Sequence, residues 1–295
     1  MRFDFRAWSA GRLERVEQAL SRWVVADAPA GLGEAMRYAV LDGGKRLRPL
    51  LVLAASDAAG GNEEAALRAA CAVELIHAYS LVHDDMPCMD NDVLRRGKPT
   101  VHVKYGQAQA LLAGDALQAL AFELLAPDGD AVPAAVQAAL CRLLARAAGH
   151  AGMAGGQAID LASVGRSLAE SELREMHRRK TGALLLGSVL MGAACGQPDA
   201  IAQAALARYG AAVGLAFQVV DDILDVTADS ATLGKTAGKD AAQYKPTYVS
   251  LLGLERSAAY AQELLAQALE ALSGSGLVDT QALHALAIMV VNRDN

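Results

Sequence analysis

Residues 73–85 read VELIHAYSLVHDD, an apolar run that ends in two adjacent carboxylates. The run predicts a buried core helix that carries Asp84 and Asp85 at its carboxyl end. Because the helix dipole disfavours carboxylates at that end, we expect a positive group nearby. Pro87 stops the helix, since its ring clashes with the carbonyl four residues earlier. The chain therefore bends after Asp85, and Asp90 returns towards Asp84.

The rest of the chain has the same helical character. Of the 295 residues, 53% are apolar and 4% aromatic, a mixture that suits closely packed helices and disfavours a sheet-rich fold. Apolar positions recur at spacings of three and four, as at Leu13, Val16 and Leu20. Clusters of Gly and Pro separate about ten helical segments, and no linker or repeat divides the chain. The sequence predicts an all-α bundle that forms one domain over residues 1–295.

Charge, cysteines and hydropathy restrict the setting. The net charge of −6 and the pI near 5.5 argue against nucleic acid as a partner. Four widely spaced cysteines without a CxxC pair are typical of a reduced compartment. The chain starts without a secretory signal, and its longest apolar run, residues 181–196, falls short of the roughly 20 residues of a membrane span. We expect a cytoplasmic protein with no membrane span.

The first acidic segment has the composition of a metal and phosphate site. Asp84, Asp85 and Asp90 would repel one another unless a cation lies among them, and oxygen ligands suit Mg²⁺ bound with substrate phosphates. Arg95 and Arg96 follow, and guanidinium groups match phosphate oxygens. An Asp run at a helix end is also typical of a solvated terminus, so this segment alone leaves both interpretations open.

A second acidic segment favours the diphosphate site. Residues 217–240 read FQVVDDILDVTADSATLGKTAGKD. Asp221 and Asp225 share a helix face, with Asp222 on its flank. Since the helix is otherwise apolar, we expect these carboxylates to point from a buried helix towards a ligand, with a solvated helix face as the weaker alternative. Three lysines follow in and after a Gly-rich stretch: Lys235, Lys239 and Lys245.

A basic loop and a histidine complete the set of candidates. Residues 43–49, GGKRLRP, place three cations in four positions without an adjacent acid. Alone, this pattern suits an ordinary basic loop as well as an anion site. The other segments favour the anion site. His77 lies seven residues before Asp84 and so on the same helix face. A satisfied core histidine is the alternative there.

Taken together, DDMPCMD followed by RRG, DDILD, GGKRLRP, GGQAID and KTGALL resemble the trans-prenyltransferases of the polyprenyl synthase family, among them the bacterial farnesyl diphosphate synthases. The resemblance covers residues 33–293. It implies an isoprenoid-synthase bundle around a central cavity, usually a homodimer, with three Mg²⁺ ions per active site. The implied reaction ionises dimethylallyl or geranyl diphosphate and condenses it head-to-tail with isopentenyl diphosphate to give farnesyl diphosphate.

The resemblance also assigns roles to residues of this chain. The isopentenyl diphosphate site would contain Lys45, Arg48, His77 and Arg96. The allylic diphosphate would be held by Arg95, Lys180, Lys235 and Lys245. Mg²⁺ would be bound by Asp84, Asp90 and Asp221, with Asp85, Asp222 and Asp225 acting directly or through water. The catalytic residues would be Lys180, Thr181 and Gln218, the last two placing oxygen dipoles beside the carbocation. The family's basic C-terminal segment is represented by Arg293.

Product length depends on the residues one helical turn before Asp84, which are Tyr79 and Ser80. A bulky Tyr79 and the insertion between Asp85 and Asp90 resemble enzymes that stop at fifteen carbons, although Tyr79 also suits a core position. A geranylgeranyl diphosphate synthase would share every motif. A terpene cyclase would not need GGKRLRP, and a non-catalytic prenyl-diphosphate-binding subunit would be expected to lose acidic or basic ligands that this chain keeps.

Overall fold

The computed structural model describes residues 3–41, 43–166, 168–227 and 247–293, and over these the chain is helical almost throughout, which confirms the all-α prediction. The helices are α1 Phe5–Trp23, α2 Leu32–Val40, α3 Leu47–Ala58, α4 Glu63–Asp84, α5 Val101–Tyr105, α6 Gln107–Leu125, α7 Ala134–Ala148, α8 Met153–Ala162, α9 Glu170–His177, α10 Ala183–Cys195, α11 Ala200–Thr227, α12 Tyr248–Leu252, α13 Leu254–Ser273 and α14 Gln281–Val291. A 3₁₀ turn, Pro29–Gly31, precedes α2, and a π-helical turn, Arg178–Gly182, precedes α10.

The described residues contain more helices than the sequence predicts, and two glycines explain part of the difference. Gly106 and Gly253, with φ of 87° and 81°, lie in a region that side chains disfavour. Each glycine ends a helix of five residues, α5 or α12, and begins the longer helix that follows. These two additional helices are therefore short segments set off by bends.

The core is built of two clusters that share a wall. One cluster surrounds α4 and takes residues from α1, α2, α6 and α7, and the other surrounds α11, α13 and α14. Helices α3 and α10 contribute to both clusters, with Val52 and Leu184 in the first and Leu51 and Leu185 in the second. Since α4 and α11 carry the two acidic segments, this shared wall fixes one segment relative to the other.

Helix α4 is longer than its apolar run predicts. It begins at the Asn62 cap, whose side chain accepts from the Ala65 N–H at 2.8 Å, and ends with Asp85 as its C-cap. Most of its residues are buried, as expected of a helix that is apolar on several faces. By length and composition alone, α4, α6 and α11 are apolar enough to cross a membrane, with 67%, 39% and 50% of their apolar windows buried in the fold. All four cysteines are free thiols.

A small hairpin follows the first acidic segment and was not expected from the sequence. Leu94–Arg95 and Lys98–Pro99 form two antiparallel strands, β1 and β2, in which Arg95 pairs with Lys98. The two-residue connection has φ of 52° at Arg96 and 76° at Gly97, the sign of a tight hairpin turn with positive φ at both central residues. The turn orients Arg95 and Arg96 differently although they are adjacent in sequence.

Candidate active site

The chain folds back after α4 as the proline predicts. The Asp90 N–H donates to the Asp84 carbonyl at 2.8 Å, and the Asp92 N–H donates to the Asp85 carbonyl at 3.1 Å. Asp90 is close enough that its charge raises the pKa of Asp84. The backbone therefore brings Asp84 and Asp90 together at the end of a buried helix.

Asp85 is held by Arg95. The guanidinium donates from Nε to both carboxylate oxygens at 3.0 and 2.9 Å, and from Nη2 to Oδ1 at 2.6 Å. Asp85 is only 3% exposed; burial raises its pKa, and the bonds from Arg95 oppose that effect. This pair provides the expected positive group. The resemblance assigns Asp85 to the metal and Arg95 to the allylic diphosphate, but in this structure the two residues form an ion pair with each other.

Among the described residues, no cation forms an ion pair with Asp84. Burial raises its pKa to about 6, Asp90 and Asp85 add to the effect, and Lys180 and Arg95 oppose it. Since the pKa stays raised against both cations, an added positive charge would stabilise the ionised form of Asp84.

Lys180 lies in the π-helical turn Arg178–Gly182, and its Nζ donates to Asp160 Oδ2 at 2.5 Å. Burial lowers the pKa of Lys180, but Asp160 and the more distant Asp84 and Asp90 raise it above its ordinary value. The turn packs against α8 at Gly156, where a Cβ would lie 2.1 Å from the backbone nitrogen of Lys180. The glycine of GGQAID thus allows the close approach that places Lys180.

A chain of hydrogen bonds connects the π turn to α11. Thr181 Oγ1 donates to Gln218 Oε1 at 2.9 Å, and Gln218 Nε2 donates to Asp222 Oδ1 at 2.8 Å. The other oxygen of Asp222 accepts from the Tyr248 N–H at 2.7 Å. Because a carboxylate only accepts, Asp222 fixes the orientation of the Gln218 amide, and the Thr181 lone pairs stay available to the cavity.

The three aspartates of α11 differ in exposure. Asp222 and Asp225 are 2% and 5% exposed, whereas the Asp221 side chain is 42% exposed. Arg293 Nη2 donates to Asp221 Oδ1 at 3.2 Å and to the Phe217 carbonyl at 2.8 Å. The grouping by helix face suggested Asp221 with Asp225, but burial groups Asp225 with Asp222. The C-terminal Arg293, which the sequence marks only faintly, contacts the second acidic segment directly.

The basic loop adjoins the hairpin. An Arg96 guanidinium nitrogen donates to the Gly43 carbonyl. A Cβ at Gly44 would lie 2.8 Å from Arg96 Nη1, so the glycine pair allows this approach. Arg48 Nε is buried without a hydrogen-bond partner in the described structure. We call Lys45, Arg48 and Arg96 the basic group; Lys45 also lies near Arg293 and Asp221, whose charges act on it.

Arg46 is not part of that group, although the sequence places no acid next to it. Its guanidinium is 2.6 Å from Glu17 and 2.7 Å from Glu74. These acids come from α1 and α4, distant in sequence and therefore not visible from the loop. Two cations of the loop remain for an anion.

His77 lies beside the basic group. Burial, reinforced by Arg48 and Arg96, lowers its pKa well below the ordinary value. The imidazole is therefore neutral near pH 7 and offers an anion one N–H donor, not a charge.

A cavity of about 400 Å³ joins these elements. Its charged and polar lining residues are Arg48, His77, His83, Asp84, Gln157, Lys180 and Thr181. The predicted gate residues Tyr79 and Ser80 line it together with the apolar side chains of Leu81, Met89, Met153, Ala154, Ala158 and Leu161. The lining is therefore amphipathic: its charged side chains suit a diphosphate, and its apolar side chains suit a hydrocarbon chain.

The donor set suits magnesium bound with a phosphate. Within the described ranges, no group of three or more acidic, histidine or cysteine side chains is placed to hold a metal ion. Asp84 and Asp90 form a pair of carboxylates, and Mg²⁺ is commonly bound by one or two carboxylates with substrate phosphates completing its shell. The predicted ligands Lys235 and Lys245, and Lys239, lie outside the described residues.

Four residues of the site were missed or undervalued from sequence. Asp160 lies in the GGQAID motif, but the sequence indicates no role for it. Arg293 lies outside the acidic and basic motifs. Tyr248 acts through its backbone N–H, which no side-chain pattern reveals. His177 lies with Nε2 4.0 Å from Asp222 and stacks on Tyr248 at 5.6 Å, and burial lowers its pKa to about 4.

Comparisons with known proteins agree on the family, although the relatives are named for different products. The polyprenyl synthetase family profile matches residues 29–283. A Sinorhizobium fredii protein named "Probable farnesyl diphosphate synthase" is 51% identical over 275 residues, 91% of this chain and 82% of that protein. The chloroplastic geranylgeranyl pyrophosphate synthase of Capsicum annuum is 45% identical over 295 residues, 99% of this chain and 80% of that protein. The Helicobacter pylori geranyltransferase, solved with magnesium and isoprenyl diphosphate, superposes with a TM-score of 0.85 at 36% identity, covering 99% of this chain and 98% of that structure.

Proposed function

The chain belongs to the polyprenyl synthetase family, and from that premise we propose that it condenses isopentenyl diphosphate with dimethylallyl and geranyl diphosphates to give farnesyl diphosphate. The observation that carries the proposal is the amphipathic cavity, in which Asp84, Lys180 and Thr181 line the same space as a set of apolar side chains. A hydrolase of free diphosphate would not need the apolar extension.

The charged end favours ionisation of the allylic C–O bond. Lys180, kept protonated by Asp160, would stabilise the departing diphosphate. Mg²⁺ held by Asp84 and Asp90, with Asp221 on the opposite helix, would add positive charge at the same leaving group when bound. The magnesium in the Helicobacter pylori structure supports this cofactor.

The cavity would then protect the allylic cation. Thr181, which lines the cavity, and Gln218, which accepts its hydroxyl, would place oxygen dipoles beside the cation, and the apolar side chains of the lining would exclude water. The double bond of isopentenyl diphosphate, held by Lys45, Arg48, His77 and Arg96, attacks the cation and forms the new C–C bond. The proton is lost to the departing diphosphate, because no described side chain is placed as a convincing general base.

A homodimer would cover an exposed apolar helix. Helix α6 is among the more apolar helices, yet only 39% of its apolar window is buried, and Leu111 and Leu112 are 47% and 52% exposed. Exposed apolar surface of this kind marks association sites. Leu112→Glu should shift the elution and scattering mass towards one chain, whereas Val278→Glu, at an exposed apolar residue elsewhere, should not.

The decisive test is a product assay with Mg²⁺, dimethylallyl diphosphate and labelled isopentenyl diphosphate, followed by dephosphorylation and sizing of the alcohols. Farnesol would support the proposal. Geranylgeraniol would keep the chemistry and assign the longer product, for which the Capsicum annuum relative is named. No magnesium-dependent product from any allylic primer would favour a non-catalytic prenyl-diphosphate-binding subunit.

Tyr79 allows a second, sharper test of product length. If Tyr79 ends chain growth, Tyr79→Ala lengthens the product because the cavity gains depth below Asp84. Tyr105→Ala, which removes a tyrosine that packs on Tyr38 outside the cavity, is the matched control. An unchanged product distribution for Tyr79→Ala would exclude the gate role.

A further inference from the structure

Arg46 ties three parts of the fold together beneath the basic loop. Its Nε donates to Glu17 on α1 at 2.6 Å, and its Nη1 donates to Glu74 on α4 at 2.7 Å. Its Nη2 donates to the Val40 carbonyl at the end of α2 at 2.6 Å. We call this arrangement, Arg46 with Glu17, Glu74 and the Val40 carbonyl, the Arg46 clasp.

The clasp holds a backbone conformation that arginine disfavours. Arg46 has φ of 45°, in the left-handed region that non-glycine residues seldom occupy. It caps the start of α3 in that conformation, and its side chain is 3% exposed. Because Val40 and Arg46 flank the loop, the bond to the Val40 carbonyl closes the loop on itself. The bonds to α1 and α4 then fix the closed loop to the core.

The loop so fixed carries the cations of the isopentenyl diphosphate site. Lys45 precedes Arg46 directly, and Arg48 follows two residues later and lines the cavity that also contains Asp84. Glu74 lies one turn before His77, so the clasp sets the position of Arg48 relative to the helix that carries His77 and Asp84. Arg96 holds the same loop from the other side through the Gly43 carbonyl.

The charges of the clasp argue against a direct role for Arg46 in anion binding. The guanidinium donates to two carboxylates and one carbonyl, and little of its donor capacity remains for a ligand. Two acids beside a diphosphate site would weaken binding unless they served another purpose. Glu74 has one: its charge also raises the pKa of Arg48 against the effect of burial.

We propose that Arg46 is a positioning residue, which through the Arg46 clasp holds Lys45 and Arg48 in place for the diphosphate of the non-allylic substrate. The inference rests on the proposed function for the identity of that substrate. It makes Glu17 and Glu74, two acids outside the motifs, determinants of affinity for one substrate and not for the other.

The test compares Glu74→Gln and Glu17→Gln with wild type in steady-state kinetics and amide hydrogen exchange. Both changes keep the side-chain shape but remove a charge-assisted bond, so KM for isopentenyl diphosphate should rise about tenfold. The allylic KM and kcat should stay within about twofold. Exchange in a peptide spanning residues 41–48 should become faster. Glu17, whose side chain is 40% exposed, gives the milder variant if Glu74→Gln folds poorly.

Arg12→Gln is the matched control, because Arg12 makes a similar pair with Asp57 at 2.8 Å on the same helix α1, away from the loop. Equal rises in both KM values, or faster exchange without a change in KM, would overturn the proposal. If wild-type protein shows no turnover with any substrate pair, the proposed function fails separately. Titration with inorganic diphosphate then decides the matter: affinity weaker in Glu74→Gln supports the clasp, and equal affinity contradicts it.

Discussion

The Asp84–Asp85 pair ends α4, and the Asp221–Asp222 pair lies within α11. In each pair the second carboxylate is buried, 3% exposed at Asp85 and 2% at Asp222, and accepts several protein hydrogen bonds. Of the first carboxylates, Asp84 lines the cavity and Asp221 is partly exposed. In each pair the first carboxylate is therefore the more accessible one, and the second is the one that bonds most closely to the protein around it.

The partners of the buried members differ. Asp85 accepts from a guanidinium, whereas the donors to Asp222 within the described residues are the amide of Gln218 and the backbone N–H of Tyr248. The first members also differ, because Arg293 contacts Asp221, whereas the described cations that act on Asp84 are the more distant Lys180 and Arg95. The α4 pair therefore offers its ligand-facing carboxylate with less competition from protein cations.

The largest expected effect follows from that difference. Asp84→Ala should lower kcat by about 1,000-fold or more, and Asp221→Ala by about 100-fold, since a partly exposed carboxylate already paired with Arg293 contributes less. The measurement is the product assay, with circular dichroism to confirm helix content. Asp115→Ala, at an exposed aspartate of α6, is the control. Turnover by Asp84→Ala close to wild type would contradict the magnesium assignment.

The buried members provide the next comparison, in stability. Asp85→Asn leaves the partly exposed Arg95 without its counter-ion and should lower the free energy of unfolding by about 2 kcal/mol, after allowance for solvent screening. Asp222→Asn keeps one acceptor and should lower it by about 1 kcal/mol. Urea denaturation at pH 7 measures both values. The opposite order would mean that the neutral network around Asp222 matters more than the ion pair.

Patterns within one helix or loop allowed much of the site to be predicted. The apolar run before Asp84, the proline that turns the chain and the glycines near the basic loop are local features with local consequences. The all-α fold followed in the same way from composition and spacing. The resemblance then indicated which of these segments meet.

Contacts between distant elements could not be predicted. The acids that neutralise Arg46 are on α1 and α4, and the donor to Asp222 is a backbone N–H on α12. The π turn that positions Lys180 and Thr181 has no residue signature of its own, since it depends on how Gly156 lets α8 approach. The sequence thus identified the charged groups, and only the fold showed which of them form ion pairs or hydrogen bonds with one another.

A pH dependence tests the claim that Asp84 lacks a close cation. Its folded-state pKa of about 6 exceeds the ordinary value of 3.8, so the folded protein holds the proton more tightly than the unfolded chain. In metal-free protein the contribution of Asp84 to the free energy of unfolding therefore falls as pH rises from about 4 to 6. At pH 7 the charged Asp84 destabilises the fold. Mg²⁺ at pH 7 should raise Tm, and its affinity should fall by up to about tenfold per unit below pH 6.

Asp84→Asn is the matched variant for this experiment. It should remove the decrease in metal-free Tm between about pH 4 and 6 that is specific to this group. It should also remove most of the stabilisation by Mg²⁺. A wild-type Tm that does not respond to Mg²⁺ at pH 7 would contradict the prediction that Asp84 binds the metal ion.

The smallest expected effect concerns Arg293, which makes the α11 pair unlike the α4 pair. Its guanidinium lies over the Phe217 ring at 3.9 Å while it bonds to Asp221, so it competes with any cation at that carboxylate. Arg293→Gln keeps a donor for the Phe217 carbonyl but removes the charge, and should lower the Mg²⁺ concentration for half-maximal activity by about two- to threefold. Arg293→Lys, which keeps the charge, should leave it near the wild-type value. A higher Mg²⁺ requirement in Arg293→Gln would mean instead that Arg293 contacts a substrate diphosphate, and the difference between the two pairs would then lie in substrate binding.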